Sequence, residues 1–320
     1  MSCSHFLCNP FIFLLQSLPD TTPVIAQAGQ KAPFALLPPT TSSVDLSHSF
    51  SFAAIPSSPV KPCIYAEVGR YRLRLAQGAE DREAACRLRF KVFNIELGEG
   101  LERSYETGID TDHFDVFCEH LLVEDKNDGR VVGTYRMQSG STAAVNMGYY
   151  SAQEFVFAPY EPLRSDILEL GRASIDREHR TPEVLTLLWR GIAQYAHDMG
   201  LRYLIGCSSL NSKDPAEGWL MYRELERYRV SPEFETVPTA AYECPTEQAG
   251  RDAQLSPDPQ NLSTPTKVPK LLKTYLTIGA RICAPPAWDR EFGTIDFLTL
   301  LDLKMLSQAA RNRFLAPLTQ

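Results

Sequence analysis

Residues 167–175 read ILELGRASI. Side chains alternate faces along a strand, so Glu169 and Arg172, three positions apart, would point to opposite sides and drive one charge into a core. Gly171 between them offers a way out. A glycine inside a strand often marks a bulge, and one extra residue shifts the alternation. Both charges can then face one cleft. The stretch predicts a bulge or splay at Leu170–Arg172, with Glu169 and Arg172 turned toward the side chain of Arg136.

Around this stretch the chain alternates strand and helix signals. YRLRLAQ (71–77) alternates as a strand does, and DREAACRLRFKVFNIEL (81–97) places Ala85, Leu88 and Val92 at helical spacing behind Asp81 as N-cap. HLLVED (120–125) and RVVGTYRMQ (130–138) read as a hairpin around the turn NDG. EVLTLLWRGIAQYAHDMG (183–200) is the clearest helix, with Pro182 near its start and Gly200 at its end. LRYLIGC (201–207) reads as a buried strand and PAEGWLMYRELERYRV (215–230) as a helix. KLLKTYLTIGAR (270–281) follows as a helix and TIDFLTLLDL (294–303) as a strand. This order implies an α/β fold, a mixed sheet with helices on both faces.

Residues 1–62 hold only Asp20, Lys31, Asp45 and Lys61 as charges and show no sustained period, so a disordered leader is expected there. The core is expected over 63–230. Residues 231–268 carry six prolines without periodicity and read as a Pro-rich linker. A helix and strand at 269–304 would complete the core, and 305–320 would be a tail or short helix.

Composition narrows the function. A net charge of −7 argues against a nucleic-acid binder. No run of apolar residues is long enough to span a bilayer, and FIFLLQSL (11–18) lacks the basic flank of a secretory signal. The eight cysteines form no C-x-x-C pair and have no histidine at zinc-finger spacing, so no metal is expected and the thiols suit a reducing cytoplasm. Cys207 ends an apolar strand and reads as an inert buried thiol. The motifs G-x-G-x-x-G, G-x-x-x-x-G-K-[ST], H-E-x-x-H and G-x-S-x-G are all missing.

What remains is a set of charges in apolar surroundings. Arg89 lies in RLRFKVF, and Asp110, Asp112 and Asp115 in GIDTDHFDVFCEH, flanked by His113 and His120. Arg136 lies in GTYRM, and Glu169 with Arg172 in the opening strand. Buried charges must be paired, so these segments are expected to meet.

The arrangement R-x-x-V-F, D-x-x-D, G-T-x-R and E-x-x-R resembles the acyl-homoserine lactone synthases. Longer stretches are more similar to a sister group, the ornithine N-acyltransferases of ornithine-lipid synthesis, often labelled hemolysins. YYSAQEF (149–155), ILELGRASI (167–175), LLWRGIAQY (187–195) and PKLLKTYLTIGARICAPPAWDREFGTIDFLTLLD (269–302) carry that likeness. It runs from about residue 70 to 303.

The resemblance implies a GNAT-type acyltransferase fold, with a mixed, mostly antiparallel twisted sheet. It also implies transfer of a (3-hydroxy)acyl group from acyl carrier protein to an amine, most readily the α-amine of L-ornithine. An ammonium must lose a proton before it attacks, and Glu169 is the expected base. Oxyanion donors are expected from the backbone near Ala173 and Ser174, which makes Ser174 a catalytic candidate with Arg172. Arg136 and Arg172 would grip the substrate carboxylate, and Arg89 would do the same or pair with Asp112 and Asp115. A second ammonium would need an acid, for which Asp110, Asp112 and Asp115 are available.

Coenzyme A users of this fold carry a glycine-bearing loop that cradles a pyrophosphate. The corresponding DREHRTPE (176–183) has no glycine, which favours a donor held on the phosphopantetheine of acyl carrier protein and no separate cofactor. Carrier proteins are acidic, and Arg177, Arg180 and Arg190, with His179, would offer them a basic landing surface. Three alternatives stay open: another amine such as glycine, an acyl-homoserine lactone-type signal synthase, and a membrane-active hemolysin-like protein. An amphiphilic product leaves peripheral contact with the inner face of the membrane open.

Overall fold

The computed structural model describes residues 62–245 and 267–315. The expected leader lies outside the described residues except for Pro62, and so do residues 246–266 of the expected linker.

The described residues form one nine-stranded sheet in the order β1-β2-β3-β4-β5-β6-β9-β7, with β8 also paired to β9. The first half is a meander of β1 (Tyr65–Val68), β2 (Tyr71–Leu75), β3 (Glu119–Asp125), β4 (Val131–Ser139) and β5 (Ile167–Ile175). Every neighbour in it is antiparallel. The second half is β6 (Tyr203–Leu210), β7 (Arg281–Ile282), β8 (Ala287–Asp289) and β9 (Thr294–Asp302), paired antiparallel around β9. The halves meet at the parallel pair of β5 and β6. A parallel pair needs a long crossover, here supplied by the helix Pro182–Asp198.

Helices cover both faces. They are α1 (Ala79–Phe90), α2 (Ser104–Thr107), α3 (Gly140–Val145), α4 (Pro182–Asp198), α5 (Pro215–Glu224), α6 (Lys270–Ile278) and α7 (Gln308–Phe314). Tyr135 and Leu121 lie opposite each other in β4 and β3 and join the core under α4, with Leu73, Leu188 and Ile192. Alternation sends their neighbours Arg136 and His120 to the other face, where α1 brings Arg89. Gly191 lets α4 sit close, since a Cβ there would come within 2.8 Å of Leu121.

Helix α1 starts two residues earlier than the spacing suggested, with Gly78 at its N-cap. Asp81 caps nothing: it accepts from Arg74 Nη2 at 2.7 Å and from the Gln77 N–H at 2.8 Å. The helix also ends sooner, because its next turn, Lys91–Glu96, widens to π geometry. That turn buries Asn94, whose Nδ2 donates to the Leu101 carbonyl at 2.9 Å.

Residues 231–245 are no free linker. Thr236 N–H donates to the Cys283 carbonyl, Val156 N–H to Val237, and Thr239 N–H to Glu154. Trp219 Nε1 donates to the Pro245 carbonyl at 2.8 Å. The prolines prevent a regular element, and the chain spends its backbone groups on neighbours instead. No helix among the described residues is long and apolar enough to cross a membrane.

Candidate active site

The ladder between β4 and β5 slips at one place. Arg136 pairs with Gly171 and Thr134 with Ser174, so Tyr135 alone faces both Arg172 and Ala173. This is a bulge with its extra residue on β5, beginning one residue after the predicted glycine. Arg172 sits at φ +53°, the one non-glycine residue with positive φ among the described residues. Left-handed backbone costs a residue with a Cβ about 1–2 kcal/mol, and here it re-aims the guanidinium. Ile167 packs in the core on one face of β5 and Leu168 in the core on the other. Regular alternation would send Arg172 with Leu168. The bulge turns it to the face of Glu169.

The pairing of β5 with β6 stops at Glu169 and Ile205. Leu170 O still packs against Gly206, so near that a Cβ there would lie 2.1 Å away, and past this contact the strands pair no further and splay. A cavity of about 250 Å³ opens on the α1 side, lined by Arg136, Glu169, Arg172, Ala173 and Cys207 among others. A smaller cavity of about 70 Å³ opens on the α4 side against Tyr135, Trp189 and Tyr275. Residues 170–173, Cys207 and Leu271 line both, so the two cavities lie on either side of the same stretch of β5.

Three arginines and three aspartates interlock beside the larger cavity. Arg89, 1% exposed, donates to Asp110 Oδ1 at 2.8 Å and to both Asp115 oxygens at 2.7 and 2.8 Å. Arg136 Nη1 reaches both Asp112 oxygens at 2.6 and 2.7 Å and Asp115 Oδ1 at 3.1 Å. Arg172 Nη2 reaches Asp112 Oδ2 at 3.1 Å and the Tyr150 hydroxyl at 3.3 Å. Its guanidinium lies 4.3 Å from the centre of the Phe292 ring and 5.2 Å from that of Tyr150. Although burial opposes ionisation, the Arg89 and Arg136 guanidiniums hold Asp115 below the usual carboxylate range. Arg136 and Arg172 do the same for Asp112. The charges of the six side chains cancel, as burial requires.

Glu169 stands apart from this network. Its two oxygens accept from the backbone N–H groups of Tyr150 and Ser151 at 2.9 and 2.7 Å. Burial pushes its carboxyl up, and those two N–H groups only partly offset the effect. A buried carboxylate with a raised pKa beside a cavity is suited to taking a proton.

The sequence-derived residues divide accordingly. Arg136, Glu169 and Arg172 meet at the cavity. Arg89 and Asp115 pair behind it, and Asp110, Asp112 and Asp115 are engaged by arginines, which leaves none of them for a substrate ammonium. Ser174 is corrected: back in register opposite Thr134 and 2% exposed, it lines neither cavity. The basic landing surface is corrected in part. Arg177 is exposed, but Arg180 is bound to Glu96 and the Ile175 carbonyl, and Arg190 is half-buried in α4. His120 is pushed down to about 4 by burial and stays neutral, while His113 is exposed. Burial raises the Cys207 thiol well above its ordinary value, which disfavours the thiolate a nucleophile needs. Tyr149, Phe155, Phe157 and Tyr160 pack as core.

Sequence reasoning missed four acids on the cavity wall: Glu99, Glu154, Asp289 and Asp296. Asp296 had a legible signal, a lone charge inside the apolar run TIDFLTLL. Glu154 and Asp289 had none, since one follows a single turn and the other ends a three-residue strand, and only tertiary contacts bring them to Asp296.

A splayed parallel pair with a bulged strand beside it, over a cavity holding a buried carboxylate, makes this protein an acyltransferase of the GNAT fold. A family profile described as an acetyltransferase (GNAT) domain matches residues 88–190. The L-ornithine N(alpha)-acyltransferase of Brucella abortus is 30% identical over 269 residues, covering 78% of this chain and 93% of that protein. The one from Rhizobium meliloti is 30% identical over 283 residues, covering 85% and 92%. Among solved structures, the acyl-homoserine lactone synthase LasI (12% identity, TM-score 0.42) covers 78% of this chain and 98% of its own. FeeM, an N-acyl amino acid synthase from uncultured soil microbes (11% identity, TM-score 0.43), covers 78% and 97%. The chain belongs to the L-ornithine N(alpha)-acyltransferase family.

Proposed function

We propose that this enzyme moves a (3-hydroxy)acyl group from the thioester of acyl carrier protein to the α-amine of L-ornithine, the first step of ornithine-lipid synthesis. The observation that carries the reading is the cavity at the end of the β5–β6 pairing, which holds Glu169, Arg136 and Arg172 and shares the wall 170–173 with a slot on the far side of the sheet.

Arg172 lines the cavity and its Nε is buried without a hydrogen-bond partner, so the side chain has a donor to offer the α-carboxylate of an amino acid. Glu169 takes the proton from the α-ammonium, and the free amine attacks the thioester carbonyl. The bulge removes backbone N–H groups at Arg172–Ala173 from regular pairing, making them candidates for the developing oxyanion. Collapse of the intermediate releases the carrier's thiol. The slot between Tyr135, Trp189 and Tyr275, on the other side of the same stretch of β5, would take the phosphopantetheine arm that carries that thiol.

A carrier-bound donor is supported by the turn before α4, where the Asp176 side chain takes the Glu178 N–H at 3.0 Å and Thr181 takes that of Val184 at 3.3 Å. Those groups are spent on caps, and the turn has no glycine to let a pyrophosphate approach. The six described cysteines are all free thiols, which accords with a cytoplasmic reaction. Peripheral contact with the inner membrane face would suit the amphiphilic product.

The test is incubation of the purified protein with 3-hydroxyacyl carrier protein and a panel of free amino acids, read by mass spectrometry. N-acylornithine is the expected product. Transfer to glycine and not ornithine removes the substrate, and transfer from acyl coenzyme A but not from the carrier removes the donor.

A further inference from the structure

We propose that Glu154, Asp289 and Asp296 form a subsite for the side-chain ammonium of the acceptor, making the enzyme selective for a diamino acid over its neutral analogues. The inference rests on the amino-acid N-acyltransferase reading above.

Three elements converge here. Glu154 ends the turn Ser151–Gln153, Asp289 ends β8, and Asp296 lies in β9. One oxygen from each lies within 4.8 Å of the others, and the residues are 2, 3 and 4% exposed. Like charges this close and this dry are costly unless a proton or a cation joins them. Among the described residues, no lysine, arginine or histidine makes a salt bridge to any of the three, although every buried aspartate of the neighbouring network has its arginine.

Two of their oxygens are left over. Glu154 Oε2 and Asp296 Oδ1 are buried without any hydrogen-bond partner, and both residues line the same cavity as Glu169 and Arg172. Asp289 Oδ1 is spent on the N–H groups of Glu291 and Phe292, both at 2.9 Å. That turn fixes Phe292 over Arg172 and ties the acid end of the cavity to the guanidinium end.

A cavity with an unpartnered guanidinium N–H toward one side and unpartnered carboxylate oxygens toward another is polarised. An amino acid with a second ammonium on its side chain matches that polarity, and an ammonium's three N–H donors suit three converging acceptors. A divalent cation would seek six or more oxygens, and the three side chains bring one converging oxygen each.

The test compares L-ornithine with L-norvaline, which has the same carbon skeleton without the terminal amine, using the purified full chain and an acyl carrier protein donor. Wild type is expected to favour ornithine by about 100-fold in kcat/KM, since an unmatched buried charge is rejected strongly. Asp296→Asn and Glu154→Gln are each expected to lower that ratio about tenfold or more, mainly through KM for ornithine. Equal use of ornithine and norvaline by wild type overturns the subsite and leaves the N-acyltransferase reading standing, whether or not the variants fold. No transfer to any amino acid refutes both. Submillimolar calcium or magnesium binding by calorimetry, lost in Asp289→Asn, overturns the subsite in favour of a metal site.

Discussion

Glu169 Oε1 accepts a 2.7 Å hydrogen bond from the Ser151 backbone N–H, fastening the proposed base to the turn that also carries the wall residue Glu154. In the proposed reaction, Glu169→Gln lowers kcat by about 10²–10⁴, the usual contribution of a positioned base. Because burial raises this carboxyl above its ordinary range, the base forms only as pH climbs past that range. Wild-type kcat/KM therefore rises with pH on the acid side, and the variant flattens that limb. A pH-rate profile of both enzymes checks it; full activity in the variant at neutral pH removes Glu169 as base.

Arg172 separates backbone from side chain. At φ +53° glycine is unstrained and alanine is not. Arg172→Gly should exceed Arg172→Ala in stability by about 1 kcal/mol, while both lose affinity for the acceptor. Urea denaturation and KM for the amino acid measure the two effects separately.

Arg89 touches no substrate in this reading and should matter for folding. Arg89→Met leaves Asp110 and Asp115 buried without their main partner, which costs about 3–5 kcal/mol. Equilibrium unfolding at pH 7 is the measurement, and a cost below about 1 kcal/mol would show the network to be dispensable.

Asp296 predicts an unusual pH dependence of stability. Burial, with Asp289 adding repulsion, pushes its carboxyl up to about 6 from 3.8. The folded state then holds a proton that the unfolded state has released between those values. The stabilisation is complete below about pH 4 and lost as pH rises through about 6. The facing groups Glu99, pushed up to about 7, and Glu154, pushed well above its ordinary value, act in the same direction. Asp296→Asn removes this loss and should raise stability by about 1–3 kcal/mol at pH 8, with little effect at pH 4. Thermal unfolding at the two pH values decides it, and a lower Tm for the variant at pH 8 contradicts the unpaired-acid assignment.

The sequence by itself determined six of the nine strands, the main helices and three members of the site; the short strands β1, β7 and β8 carried too few residues to show alternation. Alternation and helical spacing are local properties, readable from 71–75, 119–139 and 182–198 without knowing the neighbours. ILELGRASI announced its own bulge, because two charges three apart could share a cleft only if the register slipped. The sequence could not show which charges cancel. Asp110, Asp112 and Asp115 looked available for a substrate ammonium until tertiary structure set Arg89, Arg136 and Arg172 against them. Nor could it show that Glu154, Asp289 and Asp296, drawn from a turn and two strands up to 142 residues apart, converge without a counter-charge. Burial and pairing belong to three-dimensional neighbours, and a charge's chemical role follows from them.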